Sequence, residues 1–429
     1  MSDLIAIKSK NNKIRIVLVG AMIFALAFGW FAIRWQLGSM MANLTAPDSV
    51  NASPLADLAF SLAPDDPVAS WLRASVELNG TSPDHIDSAV KIFEEAVKLS
   101  PQDYRWRIEL GRAYEQAEKT AQAENSFKRA IELAPTYAFP HWHLGNFYLR
   151  QNRIDEAFAE LRMAAENNRD FREQVFSLAW DYFDKDPENV EQLAADNTDS
   201  RARLALFFAA RGQAAEALRV WNLLSETDKA AIPQIAKPIA LGLFSQRFYR
   251  QALEFSRQLG IDADARPETL TNGGFERLIN NQDDSRFGWQ VGRTDSKVDV
   301  SADGSVRHDG ARSLKVSFRN YVKPELYAIF QTVVVEPNTN YRLNFWVRTE
   351  NLKSMGGPLL EVINANDNLG IGSSKSFQTG TNDWEKYFVD FRTPANCSGI
   401  TIRTARAFCG EQCPIAGVFW YDDFELSRR

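Results

Sequence analysis

Hydrophobic and polar positions change their rhythm twice along the chain. Ile16 to Ile33 is an unbroken run of 18 residues without a polar side chain. From about residue 55 to 262, apolar residues among Ala, Leu, Glu and Gln recur every three or four positions, the spacing of amphipathic helices. Beyond about residue 268 the period shortens to two: Tyr341-Arg-Leu-Asn-Phe-Trp-Val-Arg348 puts Tyr341, Leu343, Phe345 and Val347 on one face. Segments near 298–300, 313–319, 327–335, 341–349, 359–364, 385–391, 400–404 and 418–426 read as strands separated by Gly, Asn, Asp and Pro turns. About eight short strands in this stretch predict an antiparallel β-sandwich.

As a helix, the run 16–33 spans roughly 27 Å, close to the hydrocarbon thickness of a bilayer. Lys8, Lys10, Lys13 and Arg15 precede it, and beyond Arg34 no Lys or Arg occurs until Arg73. That asymmetry predicts a cytoplasmic N-terminus with the bulk of the chain outside. A cleaved signal peptide is the competing reading, with Ala25-Leu-Ala27 as its small-residue site. The apolar run continues past Ala27 through Trp30 and Phe31, which favours an uncleaved anchor. At 429 residues the chain is long for one core, so several folded units are expected. Net charge is −6, divided as +3 over residues 1–15, −8 over 16–267 and −1 over 268–429. A mildly acidic middle without a basic stripe argues against nucleic acid as a partner. The three cysteines are Cys397, Cys409 and Cys413. In an exported domain Cys409 and Cys413 can close a small disulfide loop, leaving Cys397 free. A metal site built on these cysteines lacks ligands, since no histidine lies nearer in sequence than His308.

Shifting the chain by 34 residues exposes a repeat. Leu110, Gly111 and Tyr114 match Leu144, Gly145 and Tyr148; Ala89, Ala123 and Ala157 align, as do Phe93, Phe127 and Leu161, and Ala96, Ala130 and Ala164. Pro101 and Pro135 close two units. The period and residue set resemble the tetratricopeptide repeat, a helix–turn–helix unit that buries its apolar face only by stacking on neighbours. Two units, Tyr104 to Asn168, match strongly. The preceding one carries about two extra residues around Thr81–Ile86, and weaker ones follow, giving five or six in all. Such a solenoid offers a groove for a partner protein, with Arg105, Arg107, Asn146 and Arg150 as candidate lining, or serves as a rigid spacer. His141 and His143 lie two apart on a helix and so face different sides, which argues against a shared metal.

In the last domain, Asn272-Gly-Gly-Phe-Glu276, Phe287-Gly-Trp289, His308-Asp-Gly-Ala-Arg-Ser-Leu-Lys-Val316, Val335-Glu-Pro-Asn-Thr-Asn-Tyr341, Asp383-Trp384 and Tyr421-Asp-Asp-Phe-Glu-Leu426 occur in that order. Together they resemble carbohydrate-binding modules of the jelly-roll, galactose-binding-like kind. The resemblance implies a structural Ca2+ held by side-chain oxygens of a first-strand Glu276 and of Asp422, with oxygens from the loop of Asp309, Gly310 and Ser313. Hard oxygen donors suit that ion; the competing reading is that Glu276 and Asp422 are solvated surface acids. By the same resemblance Trp289 and Trp384 are structural. Glycan contacts are expected from Arg342, Asn344, Trp346 and Arg348, opposite the buried face of their strand, joined by Tyr327 and Gln331 on one face of another strand and by Arg403 on a third. The arginines would favour an acidic glycan.

The expected fold class is multidomain: an N-terminal transmembrane helix, an all-α tetratricopeptide solenoid and an all-β jelly-roll sandwich. The expected boundaries are a cytoplasmic tail 1–15, anchor 16–35, linker 36–54, repeats 55–262, linker 263–271 and module 272–429. No nucleophile motif, phosphate loop or HExxH appears, so an enzyme is not expected. The function these features imply is a membrane-anchored scaffold of the bacterial inner membrane that binds a protein through its repeats and a glycan through its sandwich, in envelope or exopolysaccharide assembly. The alternative is a protein-interaction module of an envelope or secretion complex without glycan binding.

Overall fold

The computed structural model describes residues 12–79, 83–192, 197–279, 285–292 and 296–429. Lys8, Lys10 and Thr81 lie outside the described residues. The chain divides into two compact units, Met1–Ala195 and Asp196–Arg429.

In the first unit, α1 (Asn12–Leu44) carries the apolar run, with mean hydropathy 2.5 in its most apolar window and none of that window buried. By length and composition it is able to cross a membrane, a test that a signal sequence near the N-terminus also passes. The expected linker 36–54 is corrected here, because α1 continues to Leu44 and packs on α2 (Ala52–Leu62). A Cβ on Gly38 would sit 2.8 Å from the Ala59 carbonyl oxygen, and Ala42 shares a buried cluster with Ala56, Ala59, Ala63, Ala69 and Leu72. The apolar helix therefore passes directly into helical packing.

Antiparallel pairs follow: α3 (Pro67–Leu78) with α4 (Pro83–Leu99), α5 (Tyr104–Gln116) with α6 (Thr120–Leu133), α7 (Ala138–Arg150) with α8 (Ile154–Asn167), and α9 (Arg169–Tyr182) with α10 (Pro187–Gln192). Asp66 and Asp103 accept the backbone N–H of Val68 (3.1 Å) and Arg105 (3.0 Å), starting α3 and α5 as N-caps. The 34-residue glycines mark close approach within a pair. A Cβ on Gly111 would meet the Phe127 ring at 2.8 Å, and one on Gly145 would meet Leu161 at 2.7 Å. Ala89, Ala123 and Ala157 are fully buried. The repeat pattern is thus a record of helix contacts.

The second unit begins with α11 (Thr198–Ala210), α12 (Ala214–Asn222), the short α13 (Glu226–Ala231), α14 (Pro233–Ser245) and α15 (Tyr249–Gln258). The strands follow: β1 (Gln290–Val291), β2 (Val298–Asp303), β3 (Ser313–Tyr321), β4 (Ile329–Val334), β5 (Asn340–Ser354), β6 (Pro358–Asn364), β7 (Gly370–Ser373), β8 (Gly380–Arg392), β9 (Gly399–Arg406) and β10 (Ile415–Arg428). They form two antiparallel five-stranded sheets, ordered β1-β4-β9-β6-β7 and β2-β3-β10-β5-β8. Phe345, Phe377, Tyr387, Phe419 and Tyr421 fill the space between them. Alternation places Tyr341, Leu343, Phe345 and Val347 in this core, as the sequence pattern requires. Strands β1 and β7 escape sequence reading because one is two residues long and the other, Gly-Ile-Gly-Ser, has almost no apolar pattern.

The expected linker 263–271 is also tied down. Glu268 donates its N–H to the Val334 carbonyl (2.8 Å), and its carboxylate pairs with Arg428 and accepts the Tyr341 hydroxyl. Helix α15 abuts the same sandwich edge: the Tyr249 hydroxyl donates to the Ala365 carbonyl (2.8 Å), and Arg250 pairs with Glu336 (2.6 Å).

Candidate functional site

Asn272-Gly-Gly-Phe-Glu276 forms a turn in which Asn272 and Phe275 adopt positive φ of 57° and 55°. Glu276 therefore sits in a turn and not in the first strand, where the family pattern would put it. The Asn272 side chain bonds both the N–H and the carbonyl of Arg277, at 3.0 and 2.8 Å. Gly273 accepts the Phe424 N–H (3.0 Å) and lies so near that strand that a Cβ would come 2.4 Å from the Phe424 carbonyl. Only glycine allows that approach. Phe275 drops into the core against Trp289 and Phe424. The turn thereby fastens the start of the sandwich to its last strand and aims Glu276 at the loop between β2 and β3.

There both Glu276 oxygens accept the Ala311 N–H at 3.0 Å, and Gly310, at φ 60°, approaches so closely that a Cβ would lie 2.0 Å from Oε1. Asp422, fully buried on β10, accepts N–H groups from His308 (2.9 Å) and Asp423 (2.9 Å). Burial outweighs these bonds, and with help from the Asp423 charge pushes the Asp422 carboxyl up to about 6. A Cβ on Gly274 would be 3.5 Å from Asp423 Oδ1, 3.9 Å from Asp422 Oδ1 and 4.0 Å from Glu276 Cγ. Asp309 Oδ1 accepts the Gly310 N–H (2.8 Å), and Ser313 donates its hydroxyl to the Val306 carbonyl (2.5 Å). Among the described residues no three His, Cys, Asp or Glu side chains form a metal-binding group. A cation here would depend on two carboxylates and backbone oxygens, a hard donor set compatible with calcium. The buried, under-compensated charge of Asp422 fits such an ion.

The seven residues expected to touch glycan are divided between the two sheets. Arg342, Asn344, Trp346 and Arg348 lie on β5 in the sheet that carries Asp422, whereas Tyr327, Gln331 and Arg403 belong to the β4–β9 side. Trp346 is covered by His308, whose ring stacks on it at 3.9 Å while Nδ1 pairs with Asp423 at 2.6 Å. Trp384, expected as structural, meets the same histidine edge-on and stands outside the core cluster, unlike Trp289. Arg342 pairs with Asp390 and lies over the Phe388 ring, and Arg348 approaches Asp383 at 3.6 Å. Asn344 is half-buried opposite Phe388. Gln331 is turned inward: it is fully buried and donates to the Thr271 carbonyl at 2.9 Å. The expectation of one converging face is therefore corrected. What remains together is Tyr327, 45% exposed, beneath the Arg403 guanidinium at 4.3 Å, with Arg403 held by Glu361 at 2.7 Å. Register places Ser373, Glu361, Arg403, Phe330 and Gln290 in one row across that sheet. His308, Asp423 and Glu361 were missed by sequence reading. His308 lay inside a quoted motif, but nothing in the motif specifies which ring it covers.

At one end of the sandwich Cys409 and Cys413 form a disulfide, and Cys397 is free and buried. The buried Arg406 donates to the Lys323, Gly356 and Cys413 carbonyls and to the Ser354 hydroxyl, binding three loops together. Those loops carry Met355 and Phe408, 83% and 82% exposed. In the repeats, Asn146 and Arg150 line a cavity of about 1030 Å³ between α3, α5 and α7, together with Arg112, Trp142 and His143. Arg105 lies at a different surface, paired with Asp103, and Arg107 is absent from the lining. His141 is buried away from His143, between Glu160 (2.6 Å) and the Pro135 carbonyl (3.0 Å).

Residues 267–405 match the family model described as a carbohydrate binding domain, and residues 116–179 match that of a tetratricopeptide repeat. The chain joins tetratricopeptide repeats to a domain of the carbohydrate-binding kind. Both are non-catalytic kinds of domain. Curated relatives include the tRNA nuclease WapA of Bacillus subtilis, 25% identical over 178 residues, and the tRNA3(Ser)-specific nuclease WapA of Bacillus spizizenii, 28% identical over 152 residues. The matches take in 40% and 34% of this chain but only 7% and 6% of those proteins. Similar solved structures include MamA from Desulfovibrio magneticus RS-1, 26% identical over 32% of this chain and 75% of that one, TM-score 0.27. Another, described as "CBM4 structure and function", is 12% identical over 37% of this chain and 99% of that one, TM-score 0.28.

Proposed function

We propose that the protein is a non-enzymatic adaptor, anchored by α1 in a bacterial inner membrane with its N-terminus in the cytoplasm. Its repeats hold a partner protein and its sandwich a glycan, in envelope or exopolysaccharide assembly. The observation that carries the glycan half is the exposed Tyr327 ring beside Arg403 and Glu361 on the β4–β9–β6 face. A tyrosine face stacks on the C–H face of a sugar, while the guanidinium and carboxylate supply donors and acceptors to its hydroxyls. Calcium, held between Glu276, Asp422 and the 306–313 loop, would fasten the first turn to the last strand. Affinity electrophoresis of the detergent-solubilised chain through gels containing neutral or acidic polysaccharides tests the reading. Retardation that Tyr327→Ala abolishes, with Trp346→Ala inert, supports it; no retardation by any polysaccharide refutes it.

A second reading, a protein-interaction module without glycan binding, is favoured by Met355 and Phe408, since large exposed apolar side chains held on braced loops suit a protein contact. Loss of a crosslinked partner on Phe408→Ser, with no polysaccharide retardation, would decide for it.

A further inference from the structure

The repeat groove has a layered charge. Arg112 and Arg150 are each about half exposed, at 53%, while the carboxylates that hold them, Glu109 and Glu115, are 17% and 20% exposed. An arriving ligand therefore meets guanidinium first, with the acids beneath fixing its orientation. Donors are left over. Glu109 engages only Nη1 of Arg112, and Glu115 engages Nε and Nη2 of Arg150, out of the five N–H groups each guanidinium carries. His143 lines the same cavity, edge-on to Phe139 at 4.4 Å. Burial, and then the charges of Arg112 and Arg150, push its pKa down to about 4, so at neutral pH it is an uncharged ring. Trp71, Phe139 and Trp142 supply apolar lining to the same cavity. Asn146 donates one amide hydrogen to the Trp142 carbonyl (2.8 Å), and the rest of its amide remains to pair with an extended backbone.

We propose that this groove binds an extended acidic peptide, its carboxylates on Arg112 and Arg150 and an aromatic or leucine side chain against Trp71, Phe139 and Trp142. The proposal rests on the reading that the repeats hold a partner, and names the chemistry of the segment held. Bidentate guanidinium–carboxylate pairing gives the charge preference, and the aromatic lining gives the anchor.

The test is selection of a phage-displayed random 12-residue library on the detergent-solubilised full chain, followed by fluorescence anisotropy of selected peptides. Each pair is then removed whole, as E109Q/R112Q and as E115Q/R150Q, so that no buried carboxylate is stranded; circular dichroism checks that each variant keeps its helix content. The expected result is a pool enriched in Asp and Glu around one aromatic or leucine. Affinity should fall at least tenfold in either double variant, fall as much when the peptide's acids become amides, and weaken with added salt. A pool enriched in neutral or basic peptides, or acidic peptides indifferent to both double variants, overturns the acidic assignment while leaving the repeats as a binding surface. No enrichment at all overturns both.

Discussion

Removing calcium should destabilise the sandwich, and Asp422→Asn should abolish that response. Without a cation, the folded state holds Asp422 at about 6 against 3.8 when unfolded. That gap of about 2 pH units corresponds to about 3 kcal/mol of penalty for carrying the charge at neutral pH. Because the folded value is the higher one, the penalty is fully present above pH 6 and is relieved as pH falls from 6 towards 4. The calcium-free sandwich should therefore gain stability on mild acidification, opposite to the usual carboxylate. Calcium at a hundredfold excess over its dissociation constant would add about 2.7 kcal/mol at neutral pH, comparable to the penalty. The readout is hydrogen exchange of β10 and β3 amides in the full chain, in calcium and in EGTA, from pH 7.5 to 5. Wild-type protein at pH 7.5 should exchange about a hundredfold faster in EGTA. Asp422→Asn, which removes the charge, should exchange at one rate in both. Identical wild-type protection with and without calcium, together with protection that falls steadily on acidification, would refute the reasoning.

Gly145→Ala should destabilise the α7–α8 pair by about 1–2 kcal/mol: the added Cβ meets Leu161 at 2.7 Å and the Ala157 carbonyl at 3.0 Å, so overpacking exceeds the helix-propensity gain. Local hydrogen exchange should quicken roughly tenfold, and unchanged or slower exchange would count against the contact. His141, held by Glu160 and the Pro135 carbonyl, has its pKa raised, chiefly by the Glu160 bond. The stability it contributes is complete below the unfolded value near 6.5 and is lost as pH rises through the folded one. Protection of α7 should fall across that window in wild type and stay level in Glu160→Gln. Phe408→Ser should leave the melting temperature within about a degree, because an exposed ring adds little to stability, but should remove whatever partner the loops contact.

The helical half was legible because its signal is local. Gly111 and Gly145 face Phe127 and Leu161 within a single hairpin, so the 34-residue spacing encodes the contact. The sequence marks the passage from solenoid to sandwich as a change of period, but the stretches on either side of the repeats carry contacts that no local pattern shows. Residues 36–44 look like a spacer only until Gly38 and Ala42 are seen against α2, and Glu268 looks solvated until Arg428, 160 residues away, pairs with it.

In the sandwich, alternation sorts the faces of β5 but not those of the chain entering β4, where Tyr327 is exposed and Gln331, four residues on, is buried. Sequence neighbours there fall into different sheets: β3 and β5 lie in one, and β4, between them in the chain, lies in the other. Tyr327 and Trp346 could thus both be read as outward while standing on opposite sides of the molecule. Whether an outward ring is free is a further question that no strand pattern answers, since the ring covering Trp346 comes from a loop 38 residues earlier. His308 is held over Trp346 because its backbone N–H is bonded by Asp422 and its ring by Asp423, so the cover shares Asp422 with the calcium proposal. Trp346 is therefore better placed to report the state of that loop than to bind sugar. Its fluorescence should change when calcium is removed, whereas Tyr327, on the other sheet, should keep its affinity for any glycan it binds.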